Sequence, residues 1–469
     1  MMIQSFARNA IIGLAVASFF AACAEPRPLA YPSEVEPRIS DQAQSLEAAP
    51  NLIAHLPITG NVLIAGGVGG GHASLKTAEF YDPTTLKFTL TGPMASPRAG
   101  FGAVAFAGGT LNHEVVVAGG ANGKASIAIH TLKLHATALD TAQQYDPATG
   151  KFTATAGLMV NGRAFFATTP LNDGTVLITG GVDSFGVPMT NAEIFDPTTG
   201  TFTATTGAMN AARALHTATR LNDGTVLIAG GVSDTTSTTS STAELYNPVL
   251  KTFANVASPM IQGAAGHTAT LISGCSCALD GQVVLTGGFS VSGVLPLRFA
   301  FSQFQIQIFD PSGATFTAAP SSLTDDRAFH TATLLANGKV LIAGGLAGIV
   351  KVSLAGVTAF PHGGARNSAE IFDPATSTVA GVNGIGTTRC NASMVNARGG
   401  HTATLFASGP LAGQVLLAGG VGGVKSIVGT PHPLATAELY NPATGAAGAF
   451  TATGKMHAAR VMQQAALLQ

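Results

Sequence analysis

The sequence predicts an all-β protein assembled from seven copies of one unit, and three observations carry that reading. Seven glycine pairs recur, beginning at Gly66, Gly119, Gly180, Gly230, Gly287, Gly344 and Gly419, each after an apolar run such as TVLIAGG. Their mean spacing of about 59 residues is close to known repeat periods of ~50 once inserted loops are allowed. A second phrase follows each pair, as in AEFYDPTTLKF from Ala78, AEIFDPTTGTF from Ala192 and AELYNPVLKTF from Ala243. Composition agrees: 57 Gly and only 10% charged residues in 469 suit short strands joined by turns better than surface helices.

A division of each unit into four strands, implied by the family resemblance that these phrases carry, is supported independently by local chemistry. HTATRL (216–221) gives strand A, and the Asn-Asp-Gly that follows at 222–224 supplies a tight turn. TVLIAGG gives strand B, whose unbroken apolar run predicts burial on both faces. AEIFD gives strand C, the DP-x-TG phrase turns the chain, and a segment beginning Thr-Phe gives strand D.

These phrases resemble kelch repeats, and the resemblance covers nearly everything from residue 52 to 469. It implies a seven-bladed kelch-type β-propeller with one four-stranded blade per repeat. Where kelch repeats place a Trp in strand D, this chain has no Trp and places Phe88, Phe152, Phe202, Phe253, Phe316 and Phe450, with Val379 in the sixth copy. Each buried Phe contributes roughly 1.5–3 kcal/mol, so blade six is expected to be the loosest. The first copy begins in mid-phrase with NVLIAGG (61–67), and the chain stops at ARVMQQAALLQ, a strand A without a glycine pair. A strand at about 461–468 is therefore expected to pair within the N-terminal blade (about 61–92) and close the ring.

Before the repeats, residues 1–24 read as an export signal, with Arg8 ahead of the apolar run Ala10–Ala22. The run is short for a membrane span. FAAC at its end resembles a lipobox that would place a lipid on Cys23, and Ala22-Cys23-Ala24 also resembles an ordinary cleavage site. The lipobox is preferred, and without an Asp after Cys23 the pattern resembles outer-membrane sorting. Residues 25–51, rich in Pro, Ser, Glu and Ala, read as a tether. The expected location is therefore the bacterial outer membrane, periplasm or cell surface.

Net charge is −1, from 23 basic and 24 acidic residues, which gives no basic stripe for nucleic acid. An arginine precedes strand A as Arg98, Arg163, Arg213, Arg327, Arg398 and Arg460, with the copy near Gly263 lacking it. Six guanidinium groups near one channel mouth could hold an anion, but strand C offers Glu79, Glu193, Glu244, Glu370 and Glu438 at matching frequency, so structural pairing is expected. Gln143 and Gln307 replace that Glu in two copies, which keeps a hydrogen-bond acceptor and loses proton chemistry. His216, His267, His330 and His401 fall one per blade, a spread poorly suited to a common metal.

Two enzyme families share propeller architectures. A galactose oxidase site needs spare tyrosines, yet Tyr31 lies in the tether, and Tyr81, Tyr145, Tyr246 and Tyr440 all occupy the repeat's own slot. Sialidase Asp-boxes need Trp. No cofactor or metal is expected, and a kelch-type sugar epimerase or oxidase-like enzyme stands as the alternative. Cys275 and Cys277 lie in one A-to-B turn and are the local choice for a disulfide; Cys390 belongs to the opposite face.

If the repeated positions are structural, specificity rests on the variable B-to-C segments, at about 121–140, 289–303, 346–367 and 421–436. They carry His130, His135, Arg298, Lys351, His362, Arg366, Lys425 and His432, with Phe299, Phe301 and Phe360 nearby. The expected function is an exported, non-catalytic, monomeric propeller that engages a glycan or protein of the cell envelope through this face.

Overall fold

The computed structural model describes residues 60–468 other than 129–130, 234–238, 293–297, 354–355, 361–363, 383–393, 423–431 and 446. The chain divides into two units, Met1–Ala54 and His55–Gln469, and the description concerns the second. The export segment, Cys23, the tether, His130, His362, Cys390 and Lys425 lie outside the described residues.

The structure is an all-β ring of seven antiparallel four-stranded blades, and no helix occurs among the described residues. Blade three shows the plan: strand A Ala167–Pro170, B Val176–Thr179, C Ala192–Asp196 and D Thr201–Ala204. Strand B is fully buried in every blade, as its unbroken apolar run requires. Its side chains reach both neighbours: Leu227 and Ala229 of blade four share a core with Val283 and Leu285 of blade five. The C-to-D turn forms because Asp196 Oδ1 accepts the Thr198 amide at 2.8 Å and Gly200 supplies a φ of +67°. Across that turn the strand C aromatic faces the strand D Phe, with centroids 4.8–5.0 Å apart for Tyr81–Phe88, Tyr145–Phe152, Phe195–Phe202, Tyr246–Phe253, Phe309–Phe316 and Tyr440–Phe450. In blade six Val379 stands opposite Phe372, so that aromatic pair is missing.

Closure is the one expected from the incomplete ends. Strand Gln464–Leu467 pairs with Val62–Ala65 in register Val62↔Leu467 to Ala65↔Gln464, and so becomes strand A of blade one. The Gly60 amide donates to Leu468 O at 2.7 Å, and the Leu468 amide donates to Asn61 O at 2.8 Å.

A second ring runs inside the first. Two residues after each repeated arginine position stand Gly100, Phe165, Leu215, Gly266, Phe329, Gly400 and Met462, all with φ between +53° and +62°. Each donates its amide to the carbonyl of the preceding member at 2.8–3.2 Å, and Gly100 donates to Met462 at 3.1 Å. These seven hydrogen bonds form a closed belt. Small members make room for large ones: a Cβ on Gly100 would lie 2.5 Å from the Phe165 ring.

Candidate functional site

The repeated polar residues are built into the framework. All six arginines are fully buried. Each Nη1 donates to the carbonyl of the first glycine of its blade's pair, at 2.7 Å for Arg98–Gly119 and Arg163–Gly180 and 2.9 Å for Arg460–Gly66. In five blades Nη2 meets the strand C glutamate: Glu193 at 2.5 Å, Glu244 at 3.0 Å, Glu370 at 2.5 Å, Glu438 at 2.6 Å and Glu79 at 2.6 Å. That glutamate also accepts two consecutive amides before the arginine, as Glu193 does from Val160 and Asn161. The arginine's own carbonyl accepts the second glycine amide of the preceding blade, as Arg213 does from Gly181 at 2.8 Å. One residue thus fastens two blades, and the glycines let it approach: Gly66 has a φ of +63°, and a Cβ there would lie 2.5 Å from Arg98 O.

Blade five lacks the pair altogether. The position equivalent to arginine is Ala264, and Gln307 takes the place of glutamate, accepting the Gln262 amide at 3.3 Å. Blade two keeps Arg98 and has Gln143, so Arg98 bonds only oxygens of Gly119 and Thr141, and burial lowers its pKa to about 10. A buried cation without a carboxylate is costly. Replacing Gln143 with Glu therefore stabilises the fold by about 1–3 kcal/mol and raises the melting temperature at neutral pH; an unchanged or lower melting temperature would contradict this role.

The repeat histidines are buried one residue beyond the belt and face the preceding blade. His216 Nε2 lies 2.9 Å from Thr179 Oγ1, and His267, His330 and His401 lie 3.0 Å from Thr217, Thr268 and Thr331. Burial lowers the pKa of His216 to about 3 and of His267 to about 4, and pushes His330 and His401 well below the usual value. They are neutral spacers at physiological pH. In the other blades the position is held by Phe101, Phe166 and Gln463.

The described parts of the variable segments in blades two, five and six form paired strands. In blade two, Ala121–Ala128 and Thr131–Ala138 pair as a hairpin. The segments of blades five and six combine into one four-stranded sheet, Phe289–Ser292, Arg298–Ser302, Ile349–Ser353 and Gly356–Phe360. Cα atoms of Gly356–Phe360 approach those of the blade-two strand Thr131–Ala138 within 8 Å. Blades two and six are not neighbours in the ring, so these elements meet above the face.

The predicted binding residues distribute unevenly over this superstructure. His135 stands opposite Lys124 in the blade-two hairpin; Arg298 pairs with Val352 and Lys351 with Phe299 in the accessory sheet. His432 is exposed at the start of strand C of blade seven, opposite Gly422. Arg366 is held at the root of the sheet, with Nη2 2.5 Å from Asp326 Oδ1 and Nη1 3.9 Å from Asp325 Oδ1. Asp326 also accepts from Ser302 Oγ, which in turn accepts the Gly348 amide at 3.0 Å. Arg366 thus fastens the roots of two hairpins, a role that required knowing that 302 and 348 are adjacent. On the opposite face Cys275 and Cys277 form a disulfide, with Cα atoms 5.2 Å apart.

No family model and no curated protein sequence matches the chain. Its structure is similar to that of a fungal alcohol oxidase of the AA5 family in complex with copper, with 16% identity and a TM-score of 0.54 over 86% of each chain. The structure of YjhT aligns at 13% identity and a TM-score of 0.48, over 77% of this chain and 98% of that one. The oxidase likeness is one of fold, and the class defined is a seven-bladed β-propeller. Among the described residues the four ring tyrosines are buried within strand C, and no three His, Cys, Asp or Glu side chains gather around a metal-sized space.

Proposed function

We propose that this chain is a kelch-type propeller exported to the bacterial cell envelope, where the hairpin-bearing face binds a glycan or protein without catalysis. One observation carries the reading: the repeated arginines, glutamates and histidines are used inside the ring, whereas blades two, five and six extend their B-to-C segments into paired strands that meet above one face. Building a second layer of sheet requires ordering many residues that the ring does not need. A binding role explains that expense. The lipid on Cys23, the tether and a monomeric state belong to the same proposal.

A carbohydrate-active enzyme is the second reading, favoured by the nearly buried Asp325, 3.9 Å from both Arg327 and Arg366 beneath this face. Turnover of a sugar by purified residues 26–469 would support it. For the leading reading the test is retention of the same protein by envelope glycan or protein fractions. A variant with residues 349–360 replaced by a short turn loses retention while its melting is preserved; undiminished retention would remove the face from the proposal.

A further inference from the structure

We propose that a cleft between blades two and three is a binding subsite for a neutral pyranose, with Phe185 as the platform on which the sugar stacks. The inference rests on the reading that this face receives carbohydrate, and it names a place and a ligand chemistry. The cleft, about 340 Å³, is within the ~300–1,000 Å³ range of small-ligand sites. Its walls come from the end of the blade-two hairpin, with Asp140, and from the blade-three segment Asp183-Ser184-Phe185.

Phe185 is 90% exposed, the most exposed large apolar side chain described. The backbone turn that carries it is held by hydrogen bonds. Asp183 Oδ1 accepts the amides of Phe185 at 2.8 Å and Val187 at 2.9 Å, the Gly186 amide donates to Asp183 O at 3.0 Å, and Gly186 supplies a φ of +76°. Ser184 Oγ accepts the Ala138 amide at 2.9 Å, which ties this turn to the opposite wall. That wall is fixed as well, since the Met159 amide donates to Asp140 O at 2.8 Å.

A solvent-facing aromatic ring on a hydrogen-bonded turn, beside hydrogen-bond acceptors, matches the two surfaces of a pyranose: the C–H face lies on the ring, and the hydroxyl groups donate to carboxylate oxygens. The sign of the charge narrows the class. Asp140 and Asp183 line the cleft with no basic side chain among its lining residues, so uronic and sialic acids would be repelled. Asp183 Oδ1 already accepts two amides, so its remaining acceptor capacity lies on Oδ2, beside Asp140.

The test is calorimetric titration of purified residues 26–469 with maltohexaose, cellohexaose, chitohexaose, polygalacturonate and oligolysine. At least one neutral oligosaccharide binds; Phe185→Ala weakens it tenfold or more and Asp140→Asn several-fold, with both variants melting as the parent does. Failure of every neutral sugar to bind, preference for oligolysine or polygalacturonate, or undiminished binding by Phe185→Ala overturns the assignment. The variant lacking residues 349–360 separates the two proposals: sugar binding lost there and kept in Phe185→Ala overturns the cleft alone, whereas the reverse supports the cleft and removes the hairpin sheet.

Discussion

Removal of residues 460–469 leaves a chain that no longer melts as a cooperative unit. The truncation deletes Arg460, whose guanidinium donates to Gly66 O at 2.9 Å, Thr77 O at 3.1 Å and Glu79 Oε1 at 2.6 Å. Losing one partner of a buried ion pair costs about 3–5 kcal/mol, because Glu79 stays buried with His457 as its remaining side-chain partner. Strand Gln464–Leu467 goes as well, which exposes the edge of Val62–Ala65, and Val461, Ala466 and Leu468 leave the core. The belt is cut at Met462, which accepts from Gly100 and donates to Gly400. These losses together equal or exceed a typical domain stability of ~5–15 kcal/mol. Calorimetry and size exclusion on the truncated chain are expected to show a broad transition and association; a sharp transition near the parent's would contradict ring closure.

Acidification between pH 7.5 and 5 is expected to lower the melting temperature steeply. His216, His267, His330 and His401 are buried, and their pKa values in the folded chain are lowered, to about 3 for His216 and about 4 for His267. An unfolded histidine titrates near ~6.5. Between that value and the folded values the unfolded chain binds protons that the folded chain refuses, so stability is complete above pH ~6.5 and falls as pH falls. At pH 5 the loss is roughly 2 kcal/mol each for His216 and His267, and His330 and His401 act in the same direction. Gln463 fills the same repeat position and donates to Ala418 O at 2.8 Å, so glutamine is a substitution the ring already accommodates. Replacing His216 and His267 with Gln is expected to flatten the pH dependence; a melting temperature constant from pH 7.5 to 5, or an unaltered slope in the double variant, would contradict neutral burial.

The ring was legible because its signals repeat. An apolar strand B, the glycine pair and a D/N-P turn phrase recur with the blades, and each has a local physical cause, so the blade plan and the closing strand followed from these phrases together with their resemblance to kelch repeats. The belt was not legible. Its members are Gly, Phe, Leu, Gly, Phe, Gly and Met, and what they share is a backbone conformation and main-chain hydrogen bonds, which leave no common side chain. Nor was the accessory sheet, since Arg298–Ser302 pairs with Ile349–Ser353 across an intervening blade unit and neither segment has a counterpart in other repeats. Arg366 was named from the sequence as a binding cation, but its ion pair with Asp326 depends on that unforeseen pairing. Phe185 was missed because a lone Phe in a Gly-containing turn carries no sequence mark of exposure. The tight Asp183-to-Val187 turn was the available clue.

The claim that binding resides on the hairpin face, apart from the framework, is tested most directly by one binding isotherm. Purified residues 26–469 and the variant lacking residues 349–360 are titrated with the envelope fraction that the intact chain retains, at equal folded concentration. The account predicts saturable binding by the intact chain and at least tenfold weaker binding by the variant, with both melting alike. Equal affinity in the two proteins would contradict it.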